Sequence, residues 1–386
     1  MFQPKRAHSS RVYEHGGTFY GLCGDPAGSR LYAGSTDGTI YVYDVASEQQ
    51  PPAAHWQEKH ENYVVSLAYV RRPLGENVIS GSYDGSLIWW DAPSGGVIRR
   101  IAAHEGWVRQ VVVTPDGAQT ISVGDDMLVK VWDTDSRESI HALRGHAAQT
   151  PQGYVSALYA VAVSADGRYA ASGDRAGEVR VWELGNGREL ARFQVPELYT
   201  FDNRARKRSI GGIRSLAFAP DGRHIAVGGI GQVGNVDGLE APAHLEVWAW
   251  PIPDEPGEDP AEPRRVFATE TSGHKSILNA LAFDSSGHWL CGAGGGGDNG
   301  ILAFWNVAAA LSSSSGQTPE DQAADKSDGK ESEGKESKPP EVPIHKHKFD
   351  GHAHAMVWRE DQNRLYAAGF GKLEVWDLGP APPGAG

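Results

Sequence analysis

Four histidines, His345, His347, His352 and His354, crowd into ten residues and come closer to a metal-ligand set than any other segment. His345 and His347 fall on one face of a strand, but no acid or cysteine stands at a matching short spacing, so the expectation is solvated histidines on an outer strand and no metal. The run GAGGGG at Gly292 to Gly297 fits GxGxxG, yet the segment after it, ILAFWN, reads as a strand, whereas a dinucleotide fingerprint must open a helix. The repeated GKES lacks the spacing of a phosphate-binding loop. Serine, histidine and aspartate recur together, but hydrolytic chemistry needs an exposed nucleophile beside an oxyanion hole. These patterns predict neither cofactor nor catalytic group.

The elements that carry these residues are copies of one unit. TIYVYD, SLIWWD, MLVKVWD, GEVRVWE, GILAFWN and KLEVWDL end alike, and HLEVWAW shares the strand without the acid. The aromatic positions are Tyr43, Trp90, Trp132, Trp182, Trp248, Trp305 and Trp376, separated by 47, 42, 50, 66, 57 and 71 residues. The shorter separations match the roughly 40 to 45 residues of one propeller blade, and the longer ones require insertions. The spacing predicts an all-β, seven-bladed β-propeller, with residues 1–386 as a single domain.

Composition agrees with many short strands and tight turns: 48 Gly, 23 Pro and 12 Trp against 3 Met. A net charge of −13 argues against general affinity for nucleic-acid backbone. Cys23 and Cys291 lie in strand-like runs and read as buried reduced thiols. The amino-terminal segment lacks the apolar stretch of a secretory signal, and no run approaches a membrane span. A cytoplasmic protein is expected.

The third repeat is the most regular: WVRQVVV, a PDG turn, AQTISVG, a GDDM turn, then LVKVWD, with SIHALRG leading to Gly145 and His146. This pattern, with its GH pair, turn acid and terminal WD, resembles the WD40-repeat family from about Tyr20 to Leu378. The resemblance implies a buried hydrogen-bonded set in each unit. The second repeat supplies His60, Ser80, Asp84 and Trp90, and the third His104, Ser122, Asp126 and Trp132. Elsewhere the set is eroded. The fourth repeat has Ala176 at the acid position, the first has Ala33 and Tyr43, the fifth lacks GH, and the seventh has Phe370 in place of the acid.

The last repeat has no outer strand after KLEVWDL, while residues 11–17 have strand character with no blade before them. The amino-terminal segment is therefore expected to close the ring. A disordered acidic loop is expected at about 312–341.

The resemblance also assigns a top face, where the third and fifth residues after the GH histidine meet partners. Aligned by its turns, the chain places Tyr20, Tyr63, Trp107, Arg109, Tyr159 and Arg214 among these positions, and the insertion from Val195 to Gly212 adds Arg204, Arg206, Lys207 and Arg208. Tyr, Trp and Arg dominate interface hot spots. The reading is a monomeric, non-catalytic scaffold that binds an acidic or phosphorylated protein segment on this face. Two alternatives differ in class. An enzyme would need a carboxylate from an insertion, such as Asp237 or Glu240, and a single-stranded nucleic-acid binder would stack bases on Tyr63 and Trp107.

Overall fold

β-Branched and aromatic runs between Gly, Pro and Asp turns become short antiparallel strands. The computed structural model describes residues 2–47, 53–73, 75–202, 208–234, 241–250, 262–296, 300–308, 310–311 and 344–379. Five sheets have four strands each, in meander order. They comprise the strands between Val64 and Ala102, Val108 and Leu143, Leu158 and Gln194, Ile213 and Lys275, and Ile277 and Phe349. We call these the second to sixth sheets. A hairpin pairs Tyr199–Asp202 with Arg208–Gly211.

The remaining sheet has six strands, in the order Ala353–Arg359, Arg364–Asp377, His8–Gly24, Arg30–Ser35, Ile40–Asp44 and Ala54–His55. It corrects the expected count: the propeller has six such sheets, not seven. The cause is continuity of the chain. His8–Gly24 runs 17 residues without a break, pairing its first half with Lys372–Asp377 and its second half, after a register shift between Glu14 and Thr18, with Leu31–Ser35. The first and last repeats, TIYVYD and KLEVWDL, thus share one sheet.

Apolar side chains fill the spaces between neighbouring sheets. Val179 and Val181 of the fourth sheet pack with Ile225, Val227 and Trp250 of the fifth. Fully burying such a side chain contributes about 1.5 to 3 kcal/mol. Polar rivets join successive inner strands: the Ser66 hydroxyl donates to Val111 O (3.2 Å), Val161 N to Gln110 Oε1 (2.8 Å), the Ser215 hydroxyl to Leu278 O (3.0 Å) and Asn279 Nδ2 to Ala353 O (2.9 Å). Cys23 and Cys291 are free and buried, and burial pushes both thiols up. No helix among the described residues is long and apolar enough to cross a membrane. The acidic loop expected at 312–341 lies outside the described residues.

Candidate functional site

Two polar systems could do chemistry, one buried within the sheets and one at the mouth of the central channel. In the second sheet His60 Nδ1 lies 2.9 Å from Asp84 and Nε2 lies 2.7 Å from Ser80 Oγ, which also accepts from Trp90 Nε1 at 2.8 Å. One tautomer satisfies the chain. Trp90 donates to Ser80, Ser80 to Nε2, and Nδ1–H to an ionised Asp84. The protonation states agree: burial, working against the pull of Asp84, lowers the His60 pKa. Burial also opposes ionisation of Asp84, but hydrogen bonds from His60 and Ser86 outweigh it and hold that carboxyl well below its usual range. His104, Ser122, Asp126 and Trp132 repeat the arrangement, with contacts of 2.8 to 3.0 Å. Closed on themselves and buried, these serines are structural.

The fourth sheet corrects the expected gap at Ala176. His146 Nδ1 lies 3.1 Å from Asp174, Nε2 lies 2.8 Å from Ser172, and Trp182 donates to Ser172 at 2.8 Å. Asp174, two residues earlier, reaches the same histidine, and its other oxygen receives the amides of Ala176 and Glu178. In the fifth sheet a carboxylate replaces the serine. Glu246, fully buried, lies 3.0 Å from His244 Nε2, accepts from Trp248 Nε1 at 2.7 Å and pairs with Arg265 at 3.2 Å. Glu197, His244 and Glu246, and likewise His146, Asp174 and Glu178, bring possible metal ligands within 4.8 Å. Arg265 already pairs with Glu197 and Glu246, and Arg180 with Glu178.

The channel mouth is built by a recurring device. Each inner strand carries a bulge, which leaves one residue out of register and re-aims its side chain. The residues passed over are Tyr20, Val65, Arg109, Tyr159, Arg214, Asn279 and His354. All seven line one cavity of about 440 Å³. The device recurs seven times over six sheets because the shared sheet contains two inner strands.

Around this mouth runs an arc of neighbouring rings, three pairs of them stacked and the pair of His354 and Tyr20 tilted. His354 and Tyr20 have centroids 4.4 Å apart, Tyr20 and Tyr63 6.2 Å, Tyr63 and Tyr83 5.8 Å, and Tyr83 and Trp107 4.2 Å. Arg109 continues it, lying 4.6 Å from the Trp107 centroid and 5.0 Å from that of Tyr159, and Arg214 lies 4.1 Å from Tyr159. Tyr63 and Trp107 are 40% and 42% exposed, so the arc presents aromatic surface to solvent. Asp125 engages Arg109 through its Nε at 2.6 Å and its Nη2 at 3.3 Å.

Of the residues expected on this face, the structure brings together Tyr20, Tyr63, Trp107, Arg109, Tyr159 and Arg214. Arg204, Arg206 and Lys207 lie outside the described residues, and Arg208 is described only as part of a strand. Tyr83 and His354 were missed. Tyr83 stands directly before the turn acid Asp84, a position that could have revealed it. His352 and His354 belong to the inner strand of the last repeat or its entry, not to an outer strand. Phe370 N donates to His352 O as Tyr83 N does to Tyr63 O, so Phe370 matches Tyr83 rather than the acid. Nor are the other two histidines simply solvated: His345 and His347 are half-buried on the outer strand, with His347 Nε2 2.6 Å from Pro4 O. Burial, reinforced by His352, lowers the His354 pKa to about 4.

A protein-family model described as WD domain, G-beta repeat matches residues 7–44, 55–91, 95–133, 137–183 and 265–306, together more than half of the chain. Among curated proteins the chain is similar to apoptotic protease-activating factor 1 of Rattus norvegicus, 26% identical over 42% of this chain and 12% of that protein. It is also similar to nuclear distribution protein PAC1 of Arthroderma otae, 29% identical over 52% of this chain and 45% of that protein. The chain therefore spans less than half the length of either relative. The solved β-propeller domain of Myceliophteria thermophila Cps50 (Swd1) matches with a TM-score of 0.66 at 15% identity, covering 96% of this chain and 99% of that one, a likeness of fold.

Proposed function

We propose, for a chain that belongs to the WD domain, G-beta repeat family, the role of a non-catalytic scaffold that docks an acidic or phosphorylated protein segment on the aromatic and arginine arc at its channel mouth. The family's members are typically protein-interaction scaffolds. The observation that carries the finer reading is the exposed stack of Tyr63, Tyr83 and Trp107 running into Arg109 and Arg214. Rigid aromatic surface beside guanidinium groups is the composition of an interface hot spot. A planar cation on a chain of net charge −13 favours a carboxylate or phosphoryl partner at this one place.

The same reading makes the amino-terminal strand the closing element, supported by its pairing with the last repeat. It takes the propeller as monomeric and cytoplasmic, in keeping with two buried free thiols. The docking claim is tested by affinity capture from cell extract with wild type and with Tyr63→Ala/Trp107→Ala. Both side chains are substantially exposed, so folding should be retained. Loss of the main captured protein is expected, and undiminished capture would refute the assignment of the face.

A further inference from the structure

Arg214 combines a place in the central cavity with the lack of a carboxylate partner among the described residues. Arg72, Arg109, Arg180, Arg359 and Arg364 each contact a carboxylate within 4 Å. Among the described residues Arg214 has no such partner. Among those residues its only hydrogen bond is from Nη2 to Gly211 O, at 3.1 Å, and its Nε–H, shielded from solvent, meets no acceptor there. A charge withdrawn from solvent, even only in part as Arg214 is, is normally paired, because an unpaired ion loses hydration without compensation. Here the guanidinium instead rests on Tyr159 and lines the 440 Å³ cavity with Tyr20, Tyr83 and His354. Burial and the neighbouring charges of Arg109 and Arg175 lower its pKa from the ordinary arginine value, which marks an environment short of negative charge.

We propose that the channel mouth is an oxyanion pocket, in which Arg214 pairs with one carboxylate or phosphoryl group inserted from the face. The inference rests on the docking reading above and adds the receiving residue and the number of charges. Arg109 cannot take the same part without releasing Asp125, which already engages its Nε and Nη2. One inserted group therefore suffices, and the aromatic arc would hold the chain on either side of it. A cation would meet Arg214 at close range, so the pocket selects against metals and amines.

The test is calorimetric titration of the full chain with ten-residue synthetic peptides bearing a central Asp, Glu or phosphoserine, their Asn, Gln or Ser counterparts, and inorganic phosphate. Wild type is expected to prefer at least one acidic peptide over its neutral counterpart, a comparison that needs no variant. Arg214→Gln should weaken that peptide about thirtyfold or more. Arg214→Lys, keeping the charge but not the fork, should lose less. If phosphate alone binds, and does so through Arg214, the pocket stands with a free oxyanion as its occupant while the docking reading falls. If the acid preference survives Arg214→Gln, the pocket is wrong and the docking face stands. If wild type favours no oxyanion, free or in a peptide, the pocket is overturned.

Discussion

Asp174 serves the fourth repeat as Asp84 and Asp126 serve the second and third, although it stands two residues before the place where an acid is looked for. Sequence spacing made the complete sets of the second and third repeats legible, because there histidine, serine, acid and tryptophan keep one register. It failed in the fourth because a carboxylate can reach the same histidine from the strand end as well as from the turn. Asp174→Ala should destabilise by about 1 to 3 kcal/mol in urea unfolding, as loss of a buried acceptor does. Ala176→Asp should restore nothing in the wild-type background, since the histidine is already satisfied. His354 gives a pH prediction. Its pKa is about 4 when folded and about 6.5 when unfolded, so between those values the unfolded chain binds the extra proton. Stability should therefore fall as pH drops from about 6.5 to 4, by up to about 3 kcal/mol from this residue. His354→Gln should flatten that part of the stability curve; an unchanged slope would mean the ring is solvated.

The inner strands carry the site because a bulge at one repeated position turns Tyr20, Arg109, Tyr159, Arg214 and His354 into the channel. Alignment by the turns located most of these residues, since the bulge keeps its place relative to the turn that follows its strand. The last repeat could not be aligned in this way because its turn is altered, with Phe370 read in place of the acid, and so His354 was left out of the site. Tyr83 escaped for another reason: it reaches the arc from the turn of a neighbouring strand, a contact that no spacing within one strand reports. The strand His8–Gly24 belongs to two repeats at once, and Val12 sits opposite Glu374 in the pairing that joins them. Val12→Pro should remove a backbone donor from that pairing and cost about 1 kcal/mol or more. A melting temperature unchanged by this substitution would show that the amino-terminal strand does not hold the ring together.

At the scale of the whole molecule the repeat made the propeller architecture legible, while the number of separate sheets depended on whether two strands run on or break. That is a matter of local backbone continuity at residues 14–18 and 369–372, which side-chain pattern does not encode. The ring has two distinct ends. At one, Arg72 binds Asp116 O and the Asp135 carboxylate, joining turns of the second and third sheets in a satisfied polar network. At the other, Tyr63, Trp107, Val155 and Phe370 stand exposed around a mouth whose Arg214 has no carboxylate. The docking proposal assigns the partner to the aromatic and arginine end. Hydrogen exchange of the captured complex tests it most directly. Protection is predicted at residues 62–64, 82–84 and 106–108, with residues 93–96, 116–118 and 135–138 unchanged; protection confined to the second group would contradict the account.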